Sequence, residues 1–353
     1  MALTITRTQY PKTKPQDYSK GFGNILTDHM FLMDYTEAEG WHDPRILPFG
    51  ALALTPATMC FHYGQEIFEG MKAYRTEDGR LLLFRPMDHM RRLNHSCERI
   101  CIPQVCEEEL LDYLKELLKT DLDWIQDSNV DSIYIRPMII ATEPVFGARP
   151  AKDYTCMAML TPGRPHIPKG PKPVRIYVEK EQARAVRGGT GTAKCAGNYA
   201  STFAAQAKAK AQGYTQVLWL DGAERRYVEE MGQMNIFFVI KGELITPDLS
   251  GTILDGITRR SLLAIAKDLG YQTVERRISI QEIMTAHADG TLQEAFGCGT
   301  GACIAPVGEL TYGECHMNIG NGSIGTVTFT LFERLTQIQR GLVPDPYGWT
   351  MEV

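Results

Sequence analysis

The sequence predicts a mixed α/β (α+β) fold in two domains, on three observations: its length, a proline-rich break near its middle, and strands and helices that alternate without a strict βαβ rhythm. The chain has 353 residues, whereas single cores usually stop growing at about 250 to 300. From Thr161 to Pro173 (TPGRPHIPKGPKP), five prolines and two glycines in thirteen residues exclude a regular element. The break predicts an N-terminal domain over 1–161, a linker over 162–173 and a C-terminal domain over 174–353. Two domains imply a cleft, a usual place for a ligand.

The elements follow in order. The first sixteen residues carry Arg7, Lys12 and Lys14 and no acid, but Pro11 and Pro15 would interrupt an amphipathic helix, so an extended arm is expected. EEELLDYLKELLKTDLDWI (Glu107 to Ile125) sets Leu110, Leu111, Leu114, Leu117, Leu118 and Leu122 on one face of a core-facing helix. Ser132 to Ala141 and Tyr154 to Leu160, rich in β-branched and aromatic residues, read as strands. After the break come a strand over Val174 to Lys180, a glycine-rich loop, and an alanine-rich helix from Tyr199 to Ala211 with Asn198 as N-cap and Gly213 ending it. QVLWLDG is a further strand, and MNIFFVIKGELITP a strand pair turning at Lys241-Gly242. A helix from Thr258 to Leu269, stopped by Gly270, follows. No internal repeat is visible.

With 44% hydrophobic and 22% charged residues, the composition is that of an ordinary globular protein. A net charge of −5 offers no general attraction to phosphate backbones or anionic lipid, so neither nucleic acid nor a membrane is an expected partner. No apolar run approaches the ~18 residues that span a bilayer, and no signal-peptide core is present, which leaves a cytoplasmic location as the expectation. The nine cysteines lack paired spacing; Cys156 and Cys60 sit in apolar stretches as small hydrophobes, and no disulfide is expected. The cluster His95, Cys97, Cys101 and Cys106 lacks the C-x2-C spacing of structural zinc sites, so no metal is predicted.

Three segments point to chemistry. In RGGTGTAKCAGNY (Arg187 to Tyr199), four glycines and two alanines leave the backbone open to a ligand around Lys194. A lysine so placed can shed its proton and form a Schiff base with an aldehyde, although a flexible loop with a solvated lysine reads equally well from this segment alone. A P-loop does not fit, because Ala193 and Cys195 stand where it needs glycine and a hydroxyl. Second, Glu230 lies at the mouth of an otherwise apolar strand, where a carboxylate needs a cationic or hydrogen-bonding partner. The turn Gly256-Ile257-Thr258 then opens a helix whose free amides suit an anion such as phosphate. Third, FGCGTGA (Phe296 to Ala302) is a small-residue turn whose amides and Thr300 hydroxyl could hold a phosphate and a carboxylate; the plain alternative is a tight loop between sheet and helix.

Read together, these segments resemble the class IV (fold type IV) pyridoxal-phosphate enzymes, and among them the branched-chain amino acid aminotransferases. The resemblance rests on E-x-G-x-x-N from Glu230, L-x-T from Leu244, L-x-G-I-x-R from Leu254, and the G-G-T-G-x-x-K-x-x-G-N-Y segment around Lys194. HYGQEIFEGMKAYR from His62, FRPMDHMRRL from Phe84 and YIRP from Tyr134 extend it across essentially the whole chain. It implies a homodimer of two-domain subunits, each with its active site in a cleft between a smaller N-terminal and a larger C-terminal domain, and a pyridoxal 5'-phosphate cofactor.

The resemblance also implies roles. Lys194 would hold the cofactor covalently and then shuttle a proton between the substrate Cα and the cofactor. Glu230 would pair with the pyridine nitrogen, Tyr199 with the phenolic oxygen, and Arg92, the amides of Ile257 and Thr258, and Thr300 with the phosphate. The amides of Thr300 and Gly301 would bind the substrate α-carboxylate. Phe22, Tyr63 and Phe68 would line the side-chain pocket, with Tyr134 and Arg136 at its rim, where Arg136 would meet the distal carboxylate of glutamate or 2-oxoglutarate. Without these motifs, Arg92 and Arg136 would read as surface ion pairs and Phe22 and Phe68 as ordinary core. The implied reaction moves an amino group between L-leucine, L-isoleucine or L-valine and 2-oxoglutarate in a ping-pong cycle. A D-amino acid aminotransferase, an aminodeoxychorismate lyase, or a phosphate-ligand regulator without chemistry are the rivals. Two departures stand out. Ala302 and Ala305 replace the C-x-x-C pair of mammalian members, which argues against their thiol switch, and Gly301 replaces a common alanine, which loosens the turn.

Overall fold

Among residues 1–15, 18, 23–125, 130–163 and 170–353, which the computed structural model describes, the apolar runs become two separate sheets, one in each of two units. The first unit gathers residues 1–166, 193–196 and 337–353; the second holds residues 167–192 and 197–336. The division is therefore not a single cut at the proline-rich segment, because the short stretch around Lys194 and the C-terminal tail belong with the first unit.

The first unit contains strands β1 (Thr4–Ile5), β2 (His29–Thr36), β3 (Gly40–Pro48), β4 (Glu66–Phe68), β5 (Met71–Arg75), β6 (Leu81–Phe84), β7 (Ser132–Ala141) and β8 (Tyr154–Pro162). They run in the order β1-β3-β2-β8-β7-β5-β6, with Thr350–Glu352 as the last strand and β4 paired to β7. Its helices are α1 (Met59–Tyr63), α2 (Pro86–Arg99), α3 (Glu107–Thr120) and α4 (Leu122–Ile125). In β7 the odd positions Ile133, Ile135 and Ile139 join the core shared with the leucines of α2 and α3. By the two-residue period of a strand, Tyr134, Arg136, Met138 and Ile140 face the other way.

Two expectations are corrected here. The predicted helix 107–125 breaks at Asp121, which is almost fully buried and whose carboxylate accepts from the His29 amide (3.1 Å) and lies 2.5 Å from His29 Nδ1. A buried acid satisfied by a neighbouring strand outweighs one more turn of helix. The proline-rich segment also begins as structure: Thr161 and Pro162 still belong to β8, paired with Tyr134 and Ile133, so a proline is tolerated where the strand ends. Residues 164–169 of the predicted linker lie outside the described residues.

The second unit contains β9 (Val174–Val178), β10 (Gln216–Leu220), β11 (Val228–Met231), β12 (Met234–Ile240), β13 (Glu243–Thr246), β14 (Thr273–Glu275), β15 (Leu292–Gly299), β16 (Cys303–Tyr312) and β17 (Cys315–Asn318). The order is β11-β10-β9-β16-β15-β12-β13-β14, with β17 on β16, and the additional pairing of β11 with β12 closes the first six strands into a ring. Ile176, Leu218, Val228, Ile236, Phe238 and Leu310 are among the residues of its core. Its helices are α5 (Gly197–Ala200), α6 (Phe203–Ala211), α7 (Ile257–Asp268), α8 (Ile280–Ala288) and α9 (Thr326–Gln339), the last crossing the division between the units. The predicted turn at Lys241-Gly242 takes φ of 53° and 81°, the left-handed pair that a two-residue hairpin demands.

The predicted helix 199–211 is also corrected: it is two helices, and Asn198 caps neither. Its side chain instead accepts from the Thr190 hydroxyl (2.6 Å) and donates to the Thr190 carbonyl (2.8 Å), which pins the glycine-rich loop. Such a double bond uses the amide more fully than one capping bond would.

Candidate active site

In the first unit the stretch 193–196 is strapped to β4 and α2. The Lys194 amide donates to Ser96 Oγ (2.9 Å), the Lys194 carbonyl accepts from the Phe68 amide (3.0 Å), and Cys195 bridges to Ile67. The backbone of Lys194 is thus fixed on both sides. Its amine lies 4.6 Å from the centre of the Phe68 ring, and the Arg136 guanidinium lies 4.5 Å from the same ring and 5.4 Å from that of Tyr134. Phe68 is half-buried with an amine and a guanidinium near its ring, a placement that ordinary core packing does not explain. Arg136 is also no surface ion pair: it is half-buried, its Nη2 is 3.4 Å from the Tyr134 hydroxyl, and its buried Nε has no hydrogen-bond partner among the described residues. Burial pushes the Tyr134 phenol above its ordinary value, with Arg136 opposing. That hydroxyl also explains Gly70, since a Cβ there would come within 1.6 Å of it.

Arg92 is buried as well. Its Nε and Nη2 grip both oxygens of Glu69 at 2.6 and 3.0 Å, and His89 Nδ1 lies 2.8 Å from the same carboxylate. A carboxylate only accepts, so His89 carries its proton on Nδ1. Burial raises the Glu69 carboxyl, but Arg92 and then His89 outweigh it and hold the group well below the ordinary range. Burial drives His89 below its ordinary value, more than Glu69 raises it, so the ring is neutral. Sequence reasoning missed Glu69 and Ser96. The argument applied to Glu230, that an acid in an apolar strand needs partners, applies equally to Glu69 in IFEGM and would have found it. Tyr63 stands on α1, 45% exposed, with its ring 6.1 Å from that of His62. Phe22 lies outside the described residues.

The second unit carries the rest. Glu230 is buried on β11; its Oε1 accepts from the Leu254 amide (2.8 Å) and its Oε2 lies 3.3 Å from Arg184 Nε. Arg184, also missed, donates to the Thr252 carbonyl and reaches that of Gly191 at 3.5 Å, so one guanidinium ties Glu230 to two loops. Nothing in its local spacing marked it. Asn235 donates to the Leu254 carbonyl (3.0 Å), and the Thr246 hydroxyl to the Ile236 carbonyl (2.7 Å). Buried Arg259 binds Glu275 (2.6 Å) and the Pro247 carbonyl (2.9 Å). These motif positions are thus framework for the turn that opens α7. Gly256 precedes that helix with no side-chain cap, and Ile257 and Thr258 form its first turn, where amides point outward from a twelve-residue helix. Thr300 and Gly301 form the hairpin turn between β15 and β16, not a loop from sheet to helix, and Tyr199 lies on α5.

A cavity of about 400 Å³ in this unit, lined among others by Arg187, Asp221, Tyr227, Glu229, Thr252 and Arg277, holds none of the predicted site residues. Among the described residues no group of three or more His, Cys, Asp or Glu side chains could hold a metal, and no helix is long and apolar enough to cross a membrane. Cys156 is fully buried and Cys60 half-buried; burial pushes the Cys97 thiol up to about 12.

The first unit thus presents a lysine whose backbone is held on both sides, and the second a buried carboxylate beside an arginine and an uncapped helix N-terminus. The family model for amino-transferase class IV matches residues 66–310, and the chain belongs to that family. Branched-chain-amino-acid aminotransferase 2 of Bacillus subtilis is 52% identical over 99% of this chain and 96% of its own length. Branched-chain-amino-acid transaminase 1 of the same organism is 51% identical over 98% of both. Among solved structures, the branched-chain aminotransferase of the archaeon Thermoproteus uzoniensis with norvaline is similar at a TM-score of 0.74 and 26% identity, covering 91% of this chain and 99% of that one. The branched-chain amino acid aminotransferase of Escherichia coli gives 0.74 and 25%, covering 92% and 98%. Within its class the chain is a branched-chain aminotransferase, and so an enzyme.

Proposed function

We propose that the enzyme transfers the amino group of L-leucine, L-isoleucine or L-valine to 2-oxoglutarate, reversibly and in a ping-pong cycle, with pyridoxal 5'-phosphate as cofactor. The observation that carries this reading is the Phe68 ring flanked by the Lys194 amine and the Arg136 guanidinium. One aromatic surface there serves an apolar side chain, while the adjacent cation serves the distal carboxylate of glutamate or 2-oxoglutarate. The residue types suit the cofactor's chemistry: a lysine amine would take its aldehyde, buried Glu230 its ring nitrogen, Tyr199 its phenolic oxygen, and Arg92, the α7 amides of Ile257 and Thr258, and Thr300 its phosphate. When bound, the cofactor supplies an aldehyde that joins amines and a ring that accepts the electron pair left when Cα loses its proton.

The protein's own residues do the rest. Lys194 Nζ would carry the proton between the substrate Cα and the cofactor's aldehyde carbon, with the Lys194 backbone held by the straps to Phe68 and Ser96. Glu230, 3.3 Å from Arg184 Nε, would pair with the ring nitrogen and favour its protonated form. The amides of Thr300 and Gly301 would bind the α-carboxylate, and Tyr63 and Phe68 would line the side-chain pocket. The protein acts as a homodimer, partnered by small molecules and neither nucleic acid nor membrane, in the cytoplasm; sedimentation of the purified protein checks the dimer.

Absorbance spectroscopy is the decisive experiment. The purified protein should carry a visible band that shifts when L-leucine, L-isoleucine or L-valine is added, and D-alanine should leave it unchanged. Lys194→Ala should remove the internally bound band and lower turnover by at least about a thousandfold. A protein that takes up no pyridoxal phosphate, or borohydride reduction that fixes the cofactor on another lysine, would overturn the reading.

A further inference from the structure

Arg92, to which the proposed function assigns the phosphate, is not free to choose its own direction. Glu69 is fully buried, and its two oxygens accept from four donors: Arg92 Nε (2.6 Å), Arg92 Nη2 (3.0 Å), His89 Nδ1 (2.8 Å) and the Gly70 amide (2.9 Å). That is all a carboxylate can comfortably accept. His89, Arg92 and Ser96 follow one another at three and four residues on α2 and so share one helix face. Ser96 Oγ extends this face to the cofactor lysine: it donates to the Arg92 carbonyl (3.0 Å) and accepts from the Lys194 amide.

We propose that Glu69 is a positioning residue for phosphate recognition: it clamps the Arg92 guanidinium along its Nε–Nη2 edge and so aims the Nη1 edge in one direction, with His89 bracing the clamp. The inference rests on the reading of Arg92 as a phosphate ligand. A bidentate arginine–carboxylate pair fixes both the plane and the rotation of the guanidinium, which a single hydrogen bond does not. An arginine aimed before the cofactor arrives loses less side-chain freedom on binding. The cost is electrostatic, because Glu69 offsets part of the positive charge that a phosphate would meet. Geometry and charge therefore make opposite predictions for the loss of Glu69.

The test compares pyridoxal 5'-phosphate with pyridoxal, which lacks the phosphate, by spectral titration of the full-length protein after its cofactor has been removed. Glu69→Gln turns an amide N–H₂ toward the guanidinium and breaks the two-point grip. It should weaken pyridoxal phosphate binding roughly ten- to a hundredfold while pyridoxal binding stays unchanged. Glu69→Asp, which keeps the charge but withdraws it by one methylene, should give a smaller selective loss, and it carries the test if Glu69→Gln does not fold. Thermal unfolding of each cofactor-free variant separates misfolding from misaiming, since a merely structural role would weaken both ligands alike. Equal losses on both ligands, or unchanged or tighter pyridoxal phosphate binding, would sink the proposal. Arg92→Ala is the control on the underlying reading. If it shows no selective loss, Arg92 itself is not the phosphate ligand; if Arg92→Ala is selective and Glu69→Gln and Glu69→Asp are not, only the positioning role falls.

Discussion

The two units hold their candidate site residues by different means. In the first, side chains hold side chains: Glu69 grips Arg92, and Phe68 lies beneath Lys194 and Arg136. In the second, backbone geometry does most of the holding, through the turn before α7, the hairpin at Thr300 and the pinned glycine-rich loop, with Glu230 accepting a main-chain amide. Side-chain clamps can be tuned by conservative substitution, whereas a backbone cradle tolerates little because its space is already filled. Gly191 shows this: a Cβ there would come within 2.3 Å of the Thr252 carbonyl oxygen, which Arg184 already holds.

The largest effect expected is at Glu230, where side-chain chemistry intrudes on the backbone-built unit. Glu230→Gln should keep the cofactor but slow the half-reaction with L-leucine on the order of a hundred- to a thousandfold, as stopped-flow absorbance would record. Unchanged turnover would remove Glu230 from its role. Next comes Arg136, the counterpart in the first unit. Arg136→Met should slow the half-reaction with glutamate roughly tenfold or more and that with L-leucine much less, because only glutamate brings a second carboxylate. Equal losses with the two donors would break the assignment of a shared pocket.

Gly191→Ala should destabilise the protein by about 1–3 kcal/mol through overpacking against a carbonyl that cannot withdraw. A melting temperature equal to that of the parent would mean that the loop has slack and the contrast between the units is overdrawn. The smallest effect is a pH dependence of the clamp. His89 and Glu69 both have folded values below their ordinary 6.5 and 4.5, so the unfolded chain binds more protons on acidification. Stability from these groups is complete above those ordinary values and falls as pH drops, first below 6.5 through His89 and then below 4.5 through Glu69. Melting temperatures should begin to decline below 6.5, and His89→Gln should abolish that first decline while sparing the second. A parent curve flat down to 4.5 would contradict the neutral, buried histidine.

Much of this was legible from residues alone because it is local. Strand β7 occupies the predicted span Ser132–Ala141, and α7 and the turn at Lys241-Gly242 follow from periodicity and from what glycine permits. The motifs around Lys194 and Glu230 also name a family, since they combine residue types whose spacing serves one chemistry. Partnerships across long separations were not legible. Asp121 reaches back to His29 and breaks a helix that its own leucines would continue. Arg184 meets Glu230, and Ser96 meets Lys194, with nothing nearby in the chain to announce them.

The sequence by itself determined the class of fold and the family, and it singled out Lys194 as the candidate, because local pattern and motif spacing are properties of a linear chain. Only the tertiary structure decided which groups hold the candidate site residues in place: Glu69 for Arg92, Ser96 for Lys194, Arg184 for Glu230. A buried charge must find its partner wherever the fold brings one within hydrogen-bonding distance, and that distance is set by packing and not by position along the chain.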